Sequence, residues 1–276
     1  MFPNVGDLDV DGKSFTVTFW RVSLETLARH RNPLFSEMTG MSQRNIGADA
    51  MHTLSMGVYG HYVSDLVWDL LEANCYHIAG PRSSFIQLGF NRMKEELSTF
   101  YAEEMTRGVH HTRIQQFLLS LFGKSTKRSS SLHAAETNGM LAFSEFLLVR
   151  HGHVLGERQL LHVEASETLR RIHKRIQAHP RKFPAEEIVG FCDDAQRHMR
   201  AIKALGIQER PKHHVLLEIA GRLHLHGSPA LTACWDDEAA NLHFKRLASG
   251  AHELVWHARV LSGWRAFAER KRRRES

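Results

Sequence analysis

The chain has 276 residues, enough to bury a sizeable core as one large domain or two small ones. Its 42% hydrophobic and 24% charged residues argue against wholesale disorder, and no apolar run approaches the ~18–20 residues of a membrane span. Lys and Arg outnumber Asp and Glu by 36 to 30, a formal charge of +6 that suits a polyanionic partner, and 20 histidines make the charge climb steeply below about pH 6.5.

The opening MFPNVGDLDVDGK carries acids where a signal peptide has a basic start and an apolar run, so export is not indicated. Cys75, Cys192 and Cys234 are far apart and odd in number, against a disulfide framework or a thiolate zinc cage. A reducing, intracellular compartment is expected. Val10-Asp11-Gly12 gives a turn signal, and residues 14–19 alternate like a strand. A polar connection covers 29–45. Leu54, Val58, Tyr62, Leu66 and Leu70 then recur near a 3.6 period and predict one long helix.

Further helices are expected over 85–104, with Ile86, Phe90, Met93, Leu97 and Tyr101 on one stripe, and over 112–122 and 134–149. Between the last two, LFGKSTKRSSS reads as a loop. Ser166 is expected to cap a helix over 167–179, and Pro184 to open another that buries Ile188, Phe191, Ala195, Met199 and Ile202 and stops at Gly206. Helices over 211–225 and 236–268 complete the set, the second interrupted near Gly250 and Gly263.

Several patterns could carry chemistry. Gly123-Lys124-Ser125-Thr126 has the core of a phosphate-binding loop, but Leu118 stands where its first glycine belongs and a helix-like segment precedes it. It reads as a basic loop. Paired histidines such as His110-His111 and His213-His214 diverge by about 100° per residue on a helix, so neighbours do not readily share one ion. A histidine metal site would need three imidazoles around one point. Asp49 and His52 stand at i and i+3 at a helix start and can address one ligand. Asp237 and Glu238 open a later helix, where acids either bind a hard cation or stabilise the helix dipole. Arg170, Arg171, Lys174 and Arg175 make one helix basic, and Lys271, Arg272 and Arg273 belong to a C-terminal basic cluster that suits phosphate contact or nuclear import.

The segment Asp49-Ala-Met-His52-Thr-Leu-Ser-Met-Gly57-Val-Tyr59 resembles a block of eukaryotic cut-and-paste transposases of the Plavaka/CACTA type. Pro211-Lys212-His213-His214, then Leu225-His226-Gly227-Ser228 and Asp237 to His243, resembles their later block, with a helical stretch between. The resemblance implies a mainly α fold with a small β region, an incomplete ribonuclease-H-like α/β core carrying a large helical insertion. Its parts would be a partial core over 1–79, the insertion over 80–210 and helices returning to the core over 211–276. Asp49 and Glu238 would be catalytic acids and metal ligands, with Asp237 a substitute and His52 and His213 in support. The cofactor of an active enzyme would be Mg²⁺, the partner DNA, the location nuclear, with no membrane and a homo-oligomer allowed. The aspartates before the polar connection are Asp7, Asp9 and Asp11, in a turn-like region where the family's first acid sits on a strand. That departure, with no N-terminal DNA-binding domain, implies a fragment, a decayed copy or a domesticated descendant whose strand-transfer chemistry is lost. The alternative is a non-enzymatic helical binding or scaffold protein that uses its basic helix faces.

Overall fold

A computed structural model describes residues 47–234, together with a few isolated helical positions between 249 and 269. The strand expected at 14–19, the helix expected at 236–268 and the acids Asp7, Asp9 and Asp11 lie outside or almost wholly outside the described residues. The chain divides after Ala233 into two units, and the helices and hairpin between residues 47 and 233 belong to the first. The divisions expected at 79/80 and 210/211 fall inside it.

The apolar period from Leu54 to Leu70 does form one continuous helix, in two geometries: a π-helical stretch Met51–Tyr59, then helix α1, Gly60–Glu72. Val58, Tyr59, Tyr62, Val63, Leu66, Val67, Leu70 and Leu71 are all buried, as are Asp65 and Asp69, so it is buried around its whole circumference. Such a helix belongs in the middle of a bundle. Around it lie α2, Arg82–Thr106; α3, Ala134–His151; α4, Arg158–Ala178; α5, Ala185–Ala204; and α6, Pro211–His226. The α4–α5 pair is the most extensive helix contact, and α6 packs on both α5 and the π-helical stretch.

The fold is therefore mainly helical, with one small sheet. That sheet is a hairpin inside the expected loop, pairing β1, Gly123–Lys124, with β2, Lys127–Arg128. Gly123 has φ +73°, and a Cβ there would lie 2.6 Å from the Lys127 carbonyl oxygen, so only glycine fits at the start of the hairpin. No other strand occurs among the described residues.

Two expected elements differ. Residues 112–118 are not helical, and only Leu119–Phe122 makes a 3₁₀ turn. The cause is aromatic anchoring. Phe117 stacks on Phe90 at 4.9 Å, and Phe122 meets the same ring at 6.2 Å. Residues five apart diverge by about 140° on an α-helix and could not both reach that ring, whereas the extended Leu118 followed by the 3₁₀ turn brings both to it. Ser166 does not cap a helix; it lies buried inside α4, which starts eight residues earlier at Arg158. Its inner face runs His162, Ala165, Ser166, Leu169, Ile172, and the first turns are too polar to read as apolar periodicity.

Candidate functional site

Asp49 precedes the central helix and caps it: Met51 N–H donates to its Oδ1 at 3.0 Å, while Oδ2 meets His52 Nδ1. Both side chains are about one-third exposed, at 33% for Asp49 and 40% for His52. The stem of Lys212, in the first turn of α6, crosses Gly57, where a Cβ would lie 3.2 Å from Lys212 Cβ and 3.0 Å from the His52 carbonyl oxygen. Gly57 thus lets α6 approach the helix backbone. Burial lowers the Lys212 pKa, opposed by the nearby Asp49 carboxylate. The next residue, His213, turns inward and is buried, its ring 5.9 Å from that of His61. Two sequence blocks some 150 residues apart thereby share one end of the bundle. Asp49, His52, Lys212 and His213 are brought together.

From His213 a seam of polar groups runs through the interior. His213 Nδ1 accepts from Arg210 N–H at 2.9 Å. Its ring lies 6.2 Å from His198, which lies 6.0 Å from Tyr62; Tyr62 in turn lies 6.1 Å from His162. His198 Nδ1 donates to the Ala165 carbonyl at 3.1 Å, and the Tyr62 hydroxyl donates to the His162 carbonyl at 2.7 Å. His61 Nδ1, His162 Nδ1 and His198 Nε2 are buried without a hydrogen-bond partner. Burial pushes the pKa of His61 and His198 down to about 3 and that of His213 down to about 4, with neighbouring cations and imidazoles adding to the shift. No three imidazoles among the described residues come within coordination distance of one another, so the seam is no histidine metal centre.

The far end of the seam is ionic. Asp69 accepts from His162 Nε2 at 3.0 Å, from Arg128 at 2.7 Å and from Arg158 at 2.8 Å. Arg128, on the hairpin, also reaches Asp65 at 3.5 Å and Glu72 at 2.9 Å. Burial raises the Asp65 pKa to about 6 against the pull of Arg128, while at Asp69 the same burial is outweighed by His162 and Arg128, so its pKa falls. Three acids on a central, largely buried helix require cations, and this is where the hairpin supplies one.

The basic stripe of α4 is spent internally. Arg170 pairs with Glu145 at 3.3 Å, Arg171 with Asp194 at 2.7 Å, and Arg175 with Asp194 at 3.4 Å and with Glu187. Lys174 is exposed. Asp237, Glu238, Lys271, Arg272 and Arg273 lie outside the described residues. Within this unit, the described groups around Asp49 are one carboxylate, one imidazole and an ammonium.

The chain was compared with models of known families, with curated proteins and with solved structures. None matches. The geometry of the Asp49–Lys212 end and of the interior seam is therefore what a functional reading rests on.

Sequence reasoning missed Asp65, Asp69, Arg128, His162 and His198. The signal for two of them was present: Asp65 and Asp69 are acids at i and i+4 inside an otherwise apolar helix. Their partners, 59 to 93 residues away, left no local pattern.

Proposed function

We propose that the chain is a transposase-derived, nucleic-acid-associated protein that has lost strand-transfer chemistry and keeps a phosphate-contacting end. The supporting observation is the meeting of the two resembling blocks: the Lys212 stem lies across Gly57, beside Asp49 and His52. In this reading Lys212 contacts a phosphate, His52 stands beside it, and Asp49 orients both as well as capping the helix. Loss of the Mg²⁺-dependent reaction rests on the sequence, where Asp7, Asp9 and Asp11 lie in a turn-like region in place of the family's first acid on a strand, and no chemical step is assigned to the site. The partner is DNA, and the expected nuclear location follows from that partner.

The test is binding of a fluorescently labelled DNA duplex by anisotropy, paired with a cleavage assay in Mg²⁺ and in Mn²⁺. The reading expects binding, weakened in Lys212→Ala, and no cleavage. Binding that Lys212→Ala leaves unchanged removes Lys212 from the interface; metal-dependent cleavage abolished by Asp49→Asn contradicts the loss of chemistry.

A second reading, a non-enzymatic helical scaffold, is favoured by the way α4 uses Arg170, Arg171 and Arg175 to hold α3 and α5. It expects no DNA binding at moderate salt.

A further inference from the structure

Along α6, from Val215 to His226, lies a cavity of about 240 Å³. Its walls are mainly apolar: Ala48 from the chain before the central helix, Val215, Ile219 and Leu223 from one face of α6, and Pro229 from the following 3₁₀ turn. One end is tight, because Gly47 approaches so closely that a Cβ there would lie 2.7 Å from Thr232 Cγ2. His226, in the last turn of α6, also lines the cavity, and its Nε2 is buried without a hydrogen-bond partner. The cavity's other charged groups, Arg222 and Glu218, pair with each other at 2.7 Å.

An unpartnered imidazole nitrogen in an apolar wall is costly, since it gave up water and received nothing in return. Burial, aided by the nearby Arg222, lowers the His226 pKa, so the ring is neutral at physiological pH and presents Nε2 as a donor or acceptor according to its tautomer. A hydroxyl satisfies either tautomer, because it both donates and accepts. The volume lies just below the roughly 300–1,000 Å³ of pockets for drug-sized ligands, and suits a compact molecule of about ten non-hydrogen atoms.

We propose that this cavity binds a small, mostly apolar molecule, such as a phenol, whose single hydroxyl hydrogen-bonds to His226 Nε2. The apolar body would lie against Val215, Ile219 and Leu223, and the hydroxyl alone would fix its orientation. The site is independent of the nucleic-acid reading and stands or falls separately from it.

The probes are para-fluorophenol and fluorobenzene, of nearly equal size and differing in the hydroxyl, titrated into the full chain and followed by fluorine NMR. The expected result is saturable binding of both, with the phenol about tenfold tighter, the factor that one hydrogen bond to an otherwise unsatisfied group supplies. His226→Phe should bring the two affinities together, while Ile219→Trp, which fills the cavity without touching His226, should abolish both. Far-UV circular dichroism on each variant checks that the helices persist; if His226→Phe unfolds, Ile219→Trp decides where the probes bind and the phenol preference of the unaltered chain decides whether a hydroxyl is read. Absence of saturable binding overturns the proposal, as it would if the chain itself or a second copy fills the space. So does equal affinity for the two probes, a phenol preference that survives in His226→Phe, or binding that survives in Ile219→Trp.

Discussion

Lowering the pH should unfold this protein through its interior histidines. Take His198, fully buried, with a pKa near 3 in the folded chain against 6.5 unfolded. A depressed folded pKa means that its contribution to stability is complete above about pH 6.5 and is lost as pH falls toward the folded value. At pH 5 the unfolded state has bound its proton and the folded state has not, a difference on the order of 2 kcal/mol for one such group. His213 and His173, both with pKa values near 4, act in the same direction with similar size. His61, near 3 but only partly buried, adds a smaller share. Asp65 opposes them: its pKa is raised to about 6, so its protonation favours the folded state as pH falls through that value. The balance, about 5 kcal/mol between pH 7 and pH 5, is comparable to the whole stability of an ordinary domain. Urea titrations followed by far-UV circular dichroism at several pH values measure it. His198→Asn keeps a donor in reach of the Ala165 carbonyl but cannot titrate, so it should flatten the dependence by about 1.4 kcal/mol per pH unit between 6 and 4, whatever its effect at neutral pH. Stability that is level from pH 7 to pH 5, or a slope identical in His198→Asn, would mean that the buried histidines do not drive acid unfolding.

Other substitutions probe the frame of the fold. Arg128→Ala leaves Asp65, Asp69 and Glu72 without their shared guanidinium, and should cost about 3–5 kcal/mol in urea unfolding at neutral pH, partly recovered by adding Asp65→Asn. Leu66→Ala, at a fully buried position of the central helix, should cost about 2–5 kcal/mol in the same assay. Gly123→Ala should cost about 1–3 kcal/mol and speed amide exchange in the hairpin, because its φ of +73° and the adjacent Lys127 carbonyl leave no room for a methyl.

The long central helix was legible because its apolar residues repeat so regularly, and their number around the whole circumference is why it sits in the middle. The start at Pro184 and the stop at Gly206 were also legible, since each depends on a local backbone restriction: α5 starts at Ala185, and Gly206 takes φ +73°. What escaped was set by contacts distant in sequence. Residues 112–118 follow the Phe90 ring instead of their own propensity, and the start of α4 buries His162 and Ser166 where apolar residues were sought. The site was legible in part. Asp49, His52, Lys212 and His213 were named from sequence and share one end of the bundle, yet the interior ionic seam, which joins residues of α1, the hairpin and α4, has no signature within any one segment. The stripe of arginines on α4 shows the same limit: charge on a helix face tells nothing of whether acids on the next helix already hold it.

The measurement that bears most directly on the nucleic-acid reading is the salt dependence of duplex binding, for the full chain and for Lys212→Ala. Each phosphate contact contributes a slope of about −0.9 to log affinity against log salt. A phosphate-contacting end should give a slope steeper than about −2, reduced by about one in Lys212→Ala. Failure to bind DNA even at low salt, or a slope that Lys212→Ala does not change, would rule that end out as a DNA contact.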